Sequence, residues 1–305
     1  MDDRTLLDAL TGTAAALLER HLGMTKEWFP HELVPWSLGR DFDPAVAWDP
    51  EESPISPAVR SALFVNILTE DNLPYYFHAI CRLFTEDGPW GEWSRRWTAE
   101  EHRHSIVIRN WLTVTRALDP VGLERSRMAQ VSTGMAYAKD IHGPLQGLAY
   151  VTLQELATRI SHRNTGRLLD DGYGNEIMSR VANDENLHFL FYRDLATAAL
   201  EIDPSEMVLA IAAQVRGFQM PGTGIPDFPV HATAIANAGI YDFAIHHDQI
   251  LVPVVLRHWR LESIEGLSPE AELARGKTVR YISRMARVSR RLAERREEMA
   301  SVGQG

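Results

Sequence analysis

Two Glu-x-x-His words constrain this chain more than any other feature: Glu101-His-Arg-His104 and Glu185-Asn-Leu-His188, the only such pairs in 305 residues. Residues three apart on an α-helix share a face, so each word offers one carboxylate and one imidazole to the same metal ion. The preceding predicted helix supplies in each case one acidic residue among apolar neighbours. These are Glu70 in Phe64-Val-Asn-Ile-Leu-Thr-Glu70 and Glu155 in Leu148-Ala-Tyr-Val-Thr-Leu-Gln-Glu155. Glu70 to Glu101 is 31 residues and Glu155 to Glu185 is 30, so the two halves form an inexact internal repeat. Buried bare, each such charge would cost on the order of several kcal/mol, and two divalent cations remove that cost. The expected metal ligands are therefore Glu70, Glu101, His104, Glu155, Glu185 and His188. Mixed oxygen and nitrogen ligation suits iron or manganese, and iron is the better match for oxygen chemistry. His102, His246 and His247 fall outside the repeat and are read as surface or hydrogen-bonded core histidines.

The rest of the chain reads as all-α, with apolar residues at helical spacing and no hairpin signature. A first helix of about Thr5–His21 leads into an irregular stretch, about 28–57, whose six prolines exclude long helices. Helices are expected over about Ala58–Phe84, then, past an Asp87-Gly88-Pro89 turn, over Thr98–Leu118, opened by a capping box at Thr98-Ala-Glu-Glu101. Further helices are expected over about Met128–Ile141, Pro144–Leu169, Asn175–Glu201, Asp203–Gly217 and His231–Arg260. A last helix, about 269–300, is basic, with Arg275, Lys277, Arg280, Arg284, Arg287, Arg290, Arg291, Arg295 and Arg296 largely at helical spacing. No linker demands a boundary, so residues 1–305 are read as one domain.

Composition excludes several classes of function. The longest apolar runs, Met207–Ala213 and Ile250–Leu256, are well short of the roughly 20 residues that cross a bilayer. The opening residues, MDDRTLLDAL, resemble neither a signal nor a transit peptide, and a soluble, cytoplasmic protein is expected. The single cysteine, Cys81, is expected to be a small buried apolar group and rules out an internal disulfide or a Cys-rich metal site. A formal charge of −10 argues against an extended nucleic-acid surface, although the basic last helix would suit an acidic partner.

The words around the ligands narrow the reading. Leu68-Thr-Glu70-Asp-Asn-Leu-Pro74, Trp97-Thr-Ala-Glu-Glu101-His-Arg-His104, Gln154-Glu155-Leu-Ala-Thr158, Ile160-Ser-His162-Arg-Asn-Thr165 and Asp184-Glu185-Asn-Leu-His188 together resemble the soluble acyl-[acyl-carrier-protein] desaturases. That resemblance runs weakly from Lys26-Glu-Trp28-Phe-Pro30 to the Arg-rich C-terminus. It implies a ferritin-like four-helix bundle core with flanking helices, two iron ions on the six ligands, and a homodimer. It also implies an oxygen-dependent enzyme that takes electrons from a ferredoxin and inserts a cis double bond into an acyl chain carried on acyl carrier protein. By the same resemblance Thr158 lies beside the oxygen site, and Trp28 and Asp184 occupy outer positions on the route for electrons. Leu83, Gly147 and Tyr150 fall near the acyl tunnel, and Lys26 with the Arg159/Arg163/Arg167 stripe are candidates for carrier docking.

Three departures from the plant members bear on substrate choice and donor docking. The loop between the first two ligand helices is shorter, Leu156 stands for an Arg after Glu155, and Leu187 stands for a basic residue in the last ligand word. These fit a divergent bacterial, actinobacterial-type branch. Two rival readings keep the bundle: a di-iron hydroxylase or N-oxygenase, and a catalytically inert protein that stores metal or binds the carrier.

Overall fold

The computed structural model describes residues 2–135, 141–222 and 224–302, with side chains to residue 291. Among the described residues every regular element is helical. In chain order they are α1 (Asp3–Met24), α2 (Pro30–Leu33), α3 (Pro57–Glu70), α4 (Leu73–Phe84), α5 (Gly88–Val114) and α6 (Pro120–Ser132). Then come α7 (Gly143–Arg167), α8 (Gly172–Ile202), α9 (Pro204–Gly217), α10 (Phe228–Asn237), α11 (Phe243–His246) and α12 (Pro269–Val302). A π-helical segment, His247–His258, continues α11.

Proline chemistry sets several of these bounds. The single helix expected over Ala58–Phe84 is two, because Pro74 lacks an N–H and its ring would meet the carbonyl of residue 70. The chain breaks at Asp71-Asn72, and Glu70 becomes the last residue of α3. Gly88-Pro89 opens α5 rather than separating it from α4, so α5 begins ten residues before Thr98. Thr98 caps nothing: it lies inside α5 and its Oγ1 donates to the Ser94 carbonyl at 2.7 Å. Pro120, placed at the first turn with Asp119 as N-cap, likewise starts α6 earlier than Met128; part of the helix expected to reach Ile141 lies outside the described residues.

The long helix expected over His231–Arg260 is also interrupted. Gly239, at φ +70°, terminates α10, and Asp242 recaps the chain by accepting from the Ile245 N–H at 2.9 Å. Pro253 then removes a donor that an α-helix needs, and the segment's last turn closes with the Trp259 N–H on the Val254 carbonyl, five residues back, at 2.8 Å. The irregular stretch holds only short turns, as six prolines dictate. It wraps the C-terminal end of α5, where Trp48 Nε1 donates to the Arg116 carbonyl and Ser53 Oγ to that of Ala117, both at 2.9 Å.

The core explains where a site can lie. On α5, Trp90, Trp93 and Trp97 belong to one buried apolar cluster, while Val107, Ile108, Trp111 and Leu112 belong to another. On α8 the order is reversed: Ile177, Met178 and Val181 sit in the second cluster and Phe189, Phe191, Tyr192 and Leu195 in the first. The two helices therefore run in opposite directions, and both Glu-x-x-His words fall at the seam. α7 and α8 make the most extensive helix pairing, and α3 packs on both α5 and α7. No described helix is long and apolar enough to cross a membrane.

Candidate metal centre

Four helices bring the six candidate ligands to that seam. Two four-residue groups form there, Glu70, Glu101, His104 and Glu185, and Glu101, Glu155, Glu185 and His188. Within each group one ligand atom from every residue lies within 4.8 Å of the others, and all six residues are buried. Glu101 and Glu185 belong to both groups, so their carboxylates would be available to both of two metal ions. His104 Nδ1 lies 3.8 Å from Glu70 Oε2, 3.8 Å from Glu101 Oε2 and 3.6 Å from Glu185 Oε1. His188 Nδ1 lies 2.9 Å from Glu101 Oε1 and 3.8 Å from both Glu155 Oε2 and Glu185 Oε2.

The atoms that face the seam are the ones without hydrogen-bond partners. Nδ1 of His104 and of His188, Oε1 of Glu101, Oε2 of Glu155 and both carboxylate oxygens of Glu185 are buried and unsatisfied. Such orphans are costly in a core and are what a hard divalent cation with some nitrogen ligation would satisfy. The residues therefore fit a metal pair. Burial, and next the Glu101 carboxylate, push the Glu70 carboxyl well above the ordinary range; burial, and next Glu185, do the same to Glu155. Glu101 goes the other way: burial opposes ionisation, but the adjacent His104 and His188 imidazoles hold it below the usual range. Burial also works against charge on both histidines, yet their carboxylate partners raise them above an ordinary imidazole.

Behind the ligands the two halves are cross-braced. His104 Nε2, on α5, donates to Asp184 Oδ2 on α8 at 3.3 Å, and His188 Nε2, on α8, donates to Glu100 Oε2 on α5 at 3.0 Å. Because a carboxylate only accepts, each bond fixes the tautomer that leaves Nδ1 free for metal. Trp28 Nε1 and Arg103 Nη2 also donate to Asp184 Oδ2, at 3.1 and 2.5 Å, and the Trp28 ring stacks parallel to His104 with centroids 6.5 Å apart. On the other arm Glu100 accepts from His21 Nε2 at 3.0 Å and pairs with Arg96 at 2.6 Å. Despite burial, the bonds from His188 and His21 keep Glu100 ionised far below the usual carboxylate range.

The sequence reading placed Trp28 and Asp184 here but missed Glu100, His21, His162, Asn66 and Trp97. His162 Nε2 pairs with Glu70 Oε1 at 3.0 Å, Asn66 Nδ2 lies 3.4 Å from His162 Nδ1, and Trp97 Nε1 donates to Glu155 Oε1 at 3.2 Å. Burial, then the nearby His104, lower His162 to about 3, so it is neutral. A signal existed for two of these: Glu100 precedes its Glu-x-x-His word as Asp184 precedes the other, and His162 follows Glu155 by two helical turns. Nothing in the sequence marks His21.

Thr158 is buried one turn from Glu155, where its Oγ1 donates to the Gln154 carbonyl and accepts from Gln154 Nε2, both at 3.0 Å. His102 is exposed, whereas His246 is buried against Tyr241 and His247 against Asp248. Cys81 is half-buried, not enclosed.

A helical bundle that closes over two carboxylate and imidazole clusters sharing two glutamates is a ferritin-like protein with a metal site. The chain belongs to the fatty acid desaturase family, whose model matches residues 2–303. It is 40% identical over 278 residues to DesA1 of Mycobacterium tuberculosis, named as an acyl-[acyl-carrier-protein] desaturase, covering 88% of this chain and 82% of that one. The chloroplastic stearoyl-[acyl-carrier-protein] 9-desaturase of Gossypium hirsutum is 32% identical over 223 residues, covering 70% of this chain and 54% of the plant protein. The X-ray structure of DesA2 from Mycobacterium tuberculosis H37Rv, named as an acyl-ACP desaturase, superposes with a TM-score of 0.72 at 26% identity. It covers 88% of this chain and 99% of that one.

Proposed function

We propose that this protein is an oxygen-dependent di-iron desaturase that inserts a cis double bond into a fatty acyl chain borne on acyl carrier protein. The observation that carries the proposal is the paired cluster itself: two four-residue groups sharing Glu101 and Glu185, with inward atoms that no protein group satisfies. Glu70, Glu101, His104 and Glu185 would hold one iron, and Glu101, Glu155, Glu185 and His188 the other. Bound iron supplies the oxidising power to remove hydrogen from an unactivated methylene. Overall, one acyl chain, dioxygen, two electrons and two protons give the alkene and two waters.

The chain's own residues do the rest. Asp184 and Glu100 hold the two imidazoles so that the ligand nitrogens need no reorientation when metal arrives. Tryptophans 93 and 97, with Phe191 and Tyr192, enclose the His188 side and keep water from it. Trp28, hydrogen-bonded to Asp184 and stacked on His104, forms a buried bridge from the irregular segment to one ligand, which suits delivery of electrons by a ferredoxin. Thr158 is the candidate hydroxyl on the oxygen side and must release the Gln154 carbonyl to serve there. The same reading includes a cytoplasmic homodimer built from one domain per chain.

The test is product mass. Given reductant, ferredoxin, oxygen and acyl carrier protein loaded with saturated chains, the enzyme should yield a product about two mass units lighter. A product about sixteen units heavier would assign it to hydroxylation instead. Glu101→Ala, which removes a carboxylate common to both groups, should leave little iron per chain in metal analysis and no product.

A further inference from the structure

Along α12, Lys277, Arg280, Arg284, Arg287 and Arg291 recur at intervals of three and four residues, and all five are exposed. At about 100° per residue they fall in one stripe, roughly 20 Å long. The segment from Lys277 to Arg291 also contains Arg290 and no acidic residue, in a chain whose formal charge is −10. Arg275, two residues before Lys277, is occupied by Glu272 and by the Ile264 carbonyl, each at 2.6 Å. Among the described residues no acidic group pairs with any of the five. A cationic stripe on an anionic protein is a selective electrostatic target.

About a third of a turn round the same helix, Tyr281 and Met285 line a mainly apolar recess of about 320 Å³, with Phe218, Met220, Tyr241 and one acidic residue, Asp242. One wall of the recess packs against α7: the Phe218 ring lies 5.8 Å from that of Tyr150, five residues before Glu155. The geometry points to α12 as the docking face for an acidic protein that presents an apolar group beside its acidic surface. Resting on the reading above, that partner is the acylated carrier protein. A duplex nucleic acid has no apolar group to fill the recess. Of the arginines on α7, Arg159 and Arg163 are half-buried and only Arg167 is exposed, so that helix offers no comparable stripe.

The experiment measures equilibrium binding of acylated carrier protein to the iron-loaded enzyme together with steady-state kinetics. For R280E/R284E/R287E, Kd and KM should rise by about tenfold or more and lose their salt dependence, with kcat at saturation and iron per chain retained. R280K/R284K/R287K, which keeps the charge, should bind as the unaltered enzyme does. Unchanged Kd in the charge-reversed enzyme would overturn the assignment, as would loss of binding in K26E/R167E instead. So would tighter salt-sensitive binding of the unaltered enzyme to duplex DNA or phosphatidylglycerol vesicles than to the carrier. Salt-sensitive carrier binding that depends on these arginines but yields no alkene would support the docking face and sink the proposed reaction.

Discussion

At the scale of single residues, the asymmetry between ligand and brace decides what this centre can do. Nδ1 of His104 and of His188 face the seam because Asp184 and Glu100 each accept the Nε2 hydrogen bond of the histidine on the opposite helix. Asp184→Asn and Glu100→Gln remove the charge while nearly preserving shape. Each should weaken metal binding by about 10- to 100-fold, read in a metal titration as loss of one of two binding steps. Equal affinity in both variants would show that the cross-bracing is incidental. The residues of the two clusters were legible because they repeat. Glu100 was equally present in the sequence, but only the folded pairing of α5 with α8 turns an acid next to a ligand into a partner for a distant histidine. His21 could not be read at all, since it stands 79 residues from Glu100 and belongs to no motif.

At the scale of elements, close approach between helices holds the seam in register. Gly174, in the first turn of α8, leaves room for the Trp111 ring of α5: an added Cβ would lie 2.6 Å from Trp111 Cζ2 and 2.9 Å from Leu169 Cδ1. The indole cannot yield, being buried and bonded through Nε1 to Asp171 Oδ2 at 3.0 Å. Gly174→Ala should therefore destabilise the protein by about 1–3 kcal/mol. Thermal denaturation should show a Tm lower by several degrees; an unchanged Tm would mean the helices separate freely there. Helix identities were legible from periodicity and most ends from proline or glycine, as at Ser268-Pro269. The failures were also local: Thr98 had the pattern of a cap, but a helix already begun at Gly88 has no free amides there for it to accept.

At the scale of the whole molecule, the metal-free protein balances its buried charge with protons. Glu70 and Glu155 are shifted up chiefly by burial, and His104 and His188 are raised by their carboxylate partners, so protons occupy sites that cations would take. Metal entry must displace them. Affinity should rise with pH and fall in acid, and adding ferrous ion to weakly buffered, metal-free enzyme should release protons. Removing metal should also lower Tm, because a ligand held a hundredfold above its Kd stabilises the native state by about 3 kcal/mol. A Tm indifferent to chelation would argue against a metal that binds only the folded chain. The sequence by itself determined the helical class, the six candidate ligands and the family resemblance, because these rest on spacing along one helix and on contiguous words. Tertiary structure alone decided which glutamates are shared, which acid braces which histidine, and that α12 turns a cationic stripe outward beside an apolar recess. Those depend on distances between residues far apart in the chain, which only packing sets.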